Sequence, residues 1–195
     1  MNYHQILDLI LDSRDVTVGG GSASALAGAM AAGLAGMVAR LSTGKEYGLT
    51  DEEYLTLAER ADGLARDLGD GAVRDSEAFL KIKQAYALPK GTPEEKAARG
   101  EAVQQAGIAA ATVPLENARK CRLVTRACAE LKGKSNPNTA SDLQIAEQFS
   151  RAGMEGCLLN VFANLPLIKD QTIRAGFEVA AGALKEPEHH ENPAL

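Results

Sequence analysis

The seventeen residues from Ala23 to Ala39 carry no charge, and most of them are Ala or Gly. Such a segment has little side-chain bulk to bury, so it gains most by letting other backbones come close. Gly28, Ala32 and Gly36 recur every four residues, which places them on one face of a helix. A second stripe, Leu26, Met30, Leu34, Val38 and Leu41, also has helical spacing and is expected to face a core. The run lies at the bottom of the length range for crossing a bilayer. Ala and Gly gain little in lipid, however, and the segment reads as a tightly packed helix of a bundle with no membrane role.

The remainder of the chain is punctuated as helices, and no stretch alternates Val, Ile or Thr in the manner of a strand. A short helix is expected from Asn2 to Asp12, followed by the break Gly19-Gly20-Gly21. A second helix runs from Ser22 to about Thr43. Thr50 and Glu53 form a capping-box pattern that starts a long helix, and Pro89 ends it near Leu88. Thr92, Pro93 and Glu95 open another, with Pro at its first position, running to Leu131. Pro114 lies inside it and removes a backbone donor, which predicts a kink. A further helix starts near Thr139 and stops before Pro166, and a last one covers Lys169 to Lys185. The expectation is an all-α fold, one domain over 1–185 built as a bundle of long antiparallel helices, with a disordered tail over 186–195. The Ala-rich faces exceed what one bundle needs, so a homodimer is expected.

Lys and Arg number 21 against 26 Asp and Glu, a formal charge of -5. That balance argues against a nucleic-acid partner, which calls for a basic face. Cys121, Cys128 and Cys157 are an odd set without paired spacing, as expected of a reducing, cytoplasmic setting. Cys121 and Cys128 stand seven apart and should both pack in a core. His4, His189 and His190 have no metal-ligand spacing, and no metal site is expected. The first residues lack a basic segment and cleavage site, so no signal peptide is read there.

Some residues break the local pattern. Asp75 falls on the apolar stripe Leu57, Ala61, Leu64, Leu68, Ala72, Phe79, Ile82. A buried carboxylate is costly unless paired. It is either a core ion-pair member, with Arg40 or Lys45, or a cleft acid/base of shifted pKa. Asp142 sits in a first helical turn, where the helix dipole alone accounts for an acid. Asn160 and Asn164 share one face of an apolar helix and need partners, either another helix or a heterocycle edge. Asp142 and Asn160 face the same way but stand roughly 27 Å apart at about 1.5 Å per residue. One small ligand cannot meet both: the ligand is long, or different sites or subunits use them. Gly19, Gly20, Gly21 and Ser22 open a helix whose free N–H groups suit an anion, or simply form a tight turn; the spacing is not that of a nucleotide loop.

Taken in order, these pieces resemble the formiminotetrahydrofolate cyclodeaminase/methenyltetrahydrofolate cyclohydrolase family. The resemblance rests on Gly19-Gly20-Gly21-Ser22, Val38-Ala39-Arg40-Leu41-Ser42 with Gly44-Lys45, and Asp75-Ser76-Glu77-Ala78-Phe79. It continues through Leu88-Pro89-Lys90-Gly91-Thr92-Pro93-Glu94-Glu95, Val113-Pro114-Leu115, Ser135-Asn136, Ser141-Asp142-Leu143-Gln144, Asn160-Val161 and Asn164-Leu165. Val18 stands where the family usually has Pro, and Ser135 where it often has Gly. The resemblance implies a helical dimer acting on a tetrahydrofolate. It would cyclise 5-formiminotetrahydrofolate to the 5,10-methenyl compound with loss of ammonia, or else open the methenyl bridge by hydrolysis. A non-catalytic helical binding or scaffold protein is the alternative of another class. No cofactor beyond the folate is expected, and a separate formiminotransferase could supply the substrate. Asp75 is the expected general acid/base and Asp142 a second candidate. The resemblance also offers Asp142 as a partner for pterin nitrogens, assigns Arg40 and Lys45 to the carboxylates of the glutamate tail or to tuning Asp75, Gly19 to Ser22 to N–H donation, and Asn136, Asn160 and Asn164 to the pterin edge.

Overall fold

The computed structural model describes residues 1–185, and the expected tail over 186–195 lies outside them. The described chain is six helices: α1 (Tyr3–Leu11), α2 (Gly20–Arg40), α3 (Asp51–Ala87), α4 (Pro93–Leu131), α5 (Ala140–Asn164) and α6 (Gln171–Lys185). Short 3₁₀ turns, Pro137–Thr139 and Leu165–Leu167, flank α5. Local chemistry sets the ends. Thr50 and Thr92 each accept a hydrogen bond from the backbone N–H three residues on, and Glu53 and Glu95 reach back, so both capping boxes form. Asn2 and Gln5 make a third, unanticipated box at α1.

α2 is the central helix, packed against α3, α4 and α5. It is long and apolar enough to cross a membrane, but over half of it is buried inside this bundle. The two stripes read from its sequence divide otherwise than expected. Gly28, Ala32 and Gly36 are buried along with Ala25, Ala31 and Ala35, whereas the second stripe is split: Leu26 and Val38 are buried as expected, but Met30 and Leu41 are exposed by half or more. The small residues face the core because three helices must close on one, and only Cβ-poor faces permit that approach.

The seam between α2 and α5 runs antiparallel and almost backbone to backbone. A Cβ on Gly153 would fall 2.8 Å from the Ser24 carbonyl and 3.0 Å from the Gly28 nitrogen. At the start of α2, a Cβ on Gly20 would lie 3.6 Å from Asn160 Nδ2. α3 and α4 form the other antiparallel pair. Ion pairs Arg60–Glu130, Lys120–Asp67 and Arg74–Glu116 step along it in register. Such exposed pairs contribute at most about 1 kcal/mol each. The hairpin is held instead by apolar packing of Ala78, Ile82 and Ala85 on Ala106 and Ala110.

Pro114 is buried inside a continuous α4. Lacking an N–H, it leaves the Ala110 carbonyl without its helical donor. Asn164 of α5 supplies one, its Nδ2 donating to Ala110 O at 2.9 Å. The gap in the ladder expected at Pro114 is therefore closed by a side chain from another helix. α1 covers the start of α2, with Ile6 packed on Val18, Ala25, Leu26 and Ala72.

Candidate active site

The first turn of α2, the middle of α3 and the last turns of α5 converge on a cavity of about 260 Å³. Gly19, Gly21, Asp75, Asn160 and Asn164 line it, together with Val16, Thr17, Ser76, Phe79, Ala110 and Ala163. Five residues singled out from the sequence thus meet although they come from three separate segments.

Asp75 is the chemical centre. It stays on the stripe that buries Leu68 and Ala72, and burial drives its pKa above the ordinary carboxylate value. Ser22 partly opposes that shift. Its hydroxyl donates to Asp75 Oδ2 at 3.0 Å and lies 2.9 Å from the Ala72 carbonyl, and its backbone N–H also bonds the carboxylate. The carboxylate occupies space that a side chain at position 21 would fill: a Cβ on Gly21 would stand 2.5 Å from each Asp75 oxygen. Glycine is needed there for room, so the Gly-rich turn seats a carboxylate of its own chain instead of serving only as an anion cradle.

The ion pair considered for Asp75 is not formed. Arg40 instead binds Asp62, Nη2 to Oδ2 at 2.5 Å, and its hydrogen bond holds that carboxyl below its ordinary value. Lys45 is exposed near the far end of α2. Among the described residues no cation pairs with Asp75. It is a poorly solvated carboxylate, held by one hydroxyl and one amide, facing a cavity.

The asparagines divide by location. Asn160 Nδ2 donates to the Gly156 carbonyl, and Asn164 Nδ2 donates to the Asn160 and Ala110 carbonyls. Both amide nitrogens serve the scaffold, while both residues still line the cavity. Asn136 is elsewhere. Its Nδ2 donates to Leu41 O, its Oδ1 accepts from Asn138 N–H, and its own N–H donates to Ser42 Oγ. It fastens the loop before α5 to the end of α2, away from the Asp75 cavity within one chain. Asp142 occupies the first turn of α5, as the dipole argument allows. Within one chain, Arg40, Lys45, Asn136 and Asp142 thus form a second group. The nineteen helical steps of α2 from Gly21 to Arg40 hold it roughly 29 Å from the Asp75 cavity at about 1.5 Å per residue.

Phe79 and the Val16-Thr17 wall were not anticipated. Phe79 sits one turn beyond Asp75 on the same stripe and is 41% exposed at the cavity, where an aromatic face can cover a flat ring. That exposure cannot be read from spacing. The three cysteines are free and buried. Burial pushes the Cys128 thiol up to about 12, and contact with Cys121 and burial push Cys157 higher still, so neither is a thiolate nucleophile at neutral pH.

A carboxylate whose pKa is raised by burial, lining a small cleft of a helical bundle, is the kind of group that proton-transfer sites of enzymes use. The relatives make the class specific. The formiminotransferase-cyclodeaminase family matches residues 5–182. Over 184 residues the chain is 38% identical to the methenyltetrahydrofolate cyclohydrolase of Methylorubrum extorquens, spanning 90% of this chain and 88% of that protein. It is 32% identical over 184 residues to the formimidoyltransferase-cyclodeaminase of Mus musculus, spanning 94% of this chain but only 32% of that longer protein. The crystal structure of formiminotetrahydrofolate cyclodeaminase from Thermotoga maritima superposes with a TM-score of 0.78 at 30% identity, covering 90% of this chain and 84% of that one. The chain belongs to the formiminotransferase-cyclodeaminase family and is an enzyme of folate one-carbon metabolism.

Proposed function

We propose that this chain is a formiminotetrahydrofolate cyclodeaminase in which Asp75 carries the protons. The reading rests on one observation: the carboxylate is desolvated, lacks a cation partner and faces the cavity. N10 of 5-formiminotetrahydrofolate attacks the formimino carbon and gives a tetrahedral centre bonded to N5, N10 and an amino group. The N10 proton passes to Asp75 and on to that amino group. Ammonia leaves, and the methenyl bridge remains. A carboxyl group with a raised pKa accepts and returns this proton better than an ordinary aspartate, because its affinity lies nearer the operating pH. Ser22 holds the carboxylate in place through its hydroxyl, bound to Oδ2, and its backbone N–H. The cavity admits the reacting end of the folate; the rest of so long a molecule lies outside it. The reaction needs no further cofactor.

The 38% identity to a cyclohydrolase over nearly its whole length favours a second reading, hydrolysis of the methenyl bridge to 10-formyltetrahydrofolate. Asp75 would then take a proton from the attacking water. Methenyl absorbance in the near ultraviolet separates the two. Growth of absorbance from 5-formiminotetrahydrofolate, with ammonia released in step, supports the cyclodeaminase. Decay from added methenyltetrahydrofolate alone replaces it with the cyclohydrolase. Neither change would sink the catalytic assignment.

The protein is further proposed to act as a cytosolic homodimer, served by a separate formiminotransferase. Met30 and Met37 of α2 and Ile145 and Phe149 of α5 are all exposed, on two helices that pack against each other, and we infer that they make up one apolar patch across the α2–α5 seam. Monomers seldom leave such patches uncovered. A two-fold axis through it runs each helix against its own copy. That arrangement can bring the Arg40 end of one protomer toward the Asp75 end of the other.

A further inference from the structure

The side-chain hydrogens around the Asp75 cavity are already committed, and the oxygens are not. Asn164 Nδ2 donates to Asn160 O and to the Ala110 carbonyl that Pro114 leaves without a helical donor, and Asn160 Nδ2 donates to Gly156 O. A carbonyl only accepts, so these bonds fix which end of each amide is nitrogen. Among the described residues neither Oδ1 receives a hydrogen bond, yet neither is a buried atom without a partner. Both oxygens are therefore open to solvent, on residues that line the cavity. The hydroxyls follow the same pattern. Thr17 Oγ1 donates to Asp15 Oδ1, Ser76 Oγ to Thr17 O, and Ser22 Oγ to Asp75 Oδ2. No Lys or Arg lines the cavity. Phe79 adds a ring suited to a cation, and the Lys83 ammonium already stands 5.7 Å from its centroid. The donors left over are backbone N–H groups in the first turn of α2, and that of Ser22 is taken by Asp75.

Open acceptors around one unpaired carboxylate select a ligand that is cationic and rich in N–H. We propose that the cavity is an amidinium pocket, in which Asp75, Asn160 Oδ1 and Asn164 Oδ1 accept from the terminal nitrogen of a formimino group bound in its protonated form. The two asparagines are then specificity-determining residues that transfer no proton. The proposal rests on the cyclodeaminase reading for the molecule that carries the amidinium; the preference for such an ion rests on the cavity alone. An amidine is a strong base, protonated at neutral pH, and protonation makes its carbon the better electrophile for N10. Its terminal nitrogen then bears two N–H groups and no lone pair. N10 attacks, loses its proton to Asp75, and Asp75 returns that proton to the amino group. The departing nitrogen now carries three N–H groups, one for each of the three acceptors. The hold on it strengthens as the leaving group forms, which is the direction that accelerates a reaction. The C–N bond breaks with its electron pair going to ammonia. The positive charge stays on the methenyl bridge, which has no N–H to offer these oxygens.

Small molecules test this on the intact protein at constant ionic strength, read as inhibition of turnover and as a shift in melting temperature. N,N-dimethylformamidinium copies the substrate's substituted nitrogen and its NH2 group. Formamide keeps the N–H groups without the charge, and tetramethylformamidinium keeps the charge without the N–H groups. The first should bind the wild type about tenfold more tightly than either of the others. Asn160→Ser removes the amide oxygen while its hydroxyl can still donate to Gly156 O, so the helix keeps that bond. Its melting temperature establishes that it folds, and the comparison in the wild type stands without it. This variant should weaken N,N-dimethylformamidinium by about tenfold and lower kcat/KM for 5-formiminotetrahydrofolate. The preference without any turnover of that substrate supports the pocket, and only the cyclodeaminase reading falls. Turnover with all three probes bound alike, or with no binding of N,N-dimethylformamidinium, overturns the pocket and spares the function. A preference that Asn160→Ser leaves intact belongs to Asp75 alone and overturns the role of the asparagines.

Discussion

Asp75 stabilises nothing where it stands, and its cost has a sign. Its folded pKa is raised, so the folded state prefers the protonated form. Stability is therefore fullest below the unfolded value and is lost as pH climbs toward the folded one. Asp75→Asn removes the charge and keeps the shape. Its turnover should fall by about 10²–10⁴-fold, the usual contribution of a positioned acid/base. Its melting temperature should equal or exceed that of the wild type at neutral pH, with the gap closing in acid. Near-normal turnover would refute the assignment, and a lower neutral melting temperature would refute the electrostatics. Gly21→Ala tests the seat of that carboxylate. A methyl there meets both oxygens at 2.5 Å, so activity should drop by an order of magnitude or more, for a fold cost of about 1–3 kcal/mol. Asp75 was legible in the sequence because a charge interrupts an apolar stripe. What Gly21 does was not, since it depends on a residue fifty-four positions away, and neither was Asn164's duty to a carbonyl orphaned by Pro114.

Element boundaries follow the sequence closely because caps and prolines act locally: α3 starts after Thr50 and α4 at Pro93, as their side chains dictate. Facing is a tertiary matter. Periodicity marked two possible inner faces on α2 but gave no rule for choosing between bulk and close approach. The close approach prevails, and glycine substitutions measure it. Gly63, inside α3, has open space where a Cβ would go, so Gly63→Ala should stabilise by up to about 1 kcal/mol through helix propensity alone. Gly153→Ala puts the same methyl against the backbone of α2, which cannot rotate away. Denaturant titration should show Gly153→Ala destabilised by several kcal/mol. Equal effects at the two positions would mean that the α2–α5 seam is looser than described.

At the scale of the molecule, the expected site residues fall into two groups at opposite ends of α2. The roughly 27 Å read from helical rise had already separated Asp142 from Asn160. One chain completes only the Asp75 group. Phe149→Asp, placed in the apolar patch, should convert a dimer to a monomer in sedimentation while helical circular dichroism persists. A mixture of Asp75→Asn with Arg40→Ala protomers should regain activity if the two ends meet across that interface. A dimeric Phe149→Asp variant would remove the patch from consideration. The bond from Asn164 to the Ala110 carbonyl also bears on how such a chain can drift over generations. A residue at 114 with its own N–H would relieve the carbonyl and release the amide, whereas loss of the amide first strands a buried acceptor in the cavity wall. Change is thus admissible in one order and penalised in the other, so the lineage has a preferred direction at these two positions.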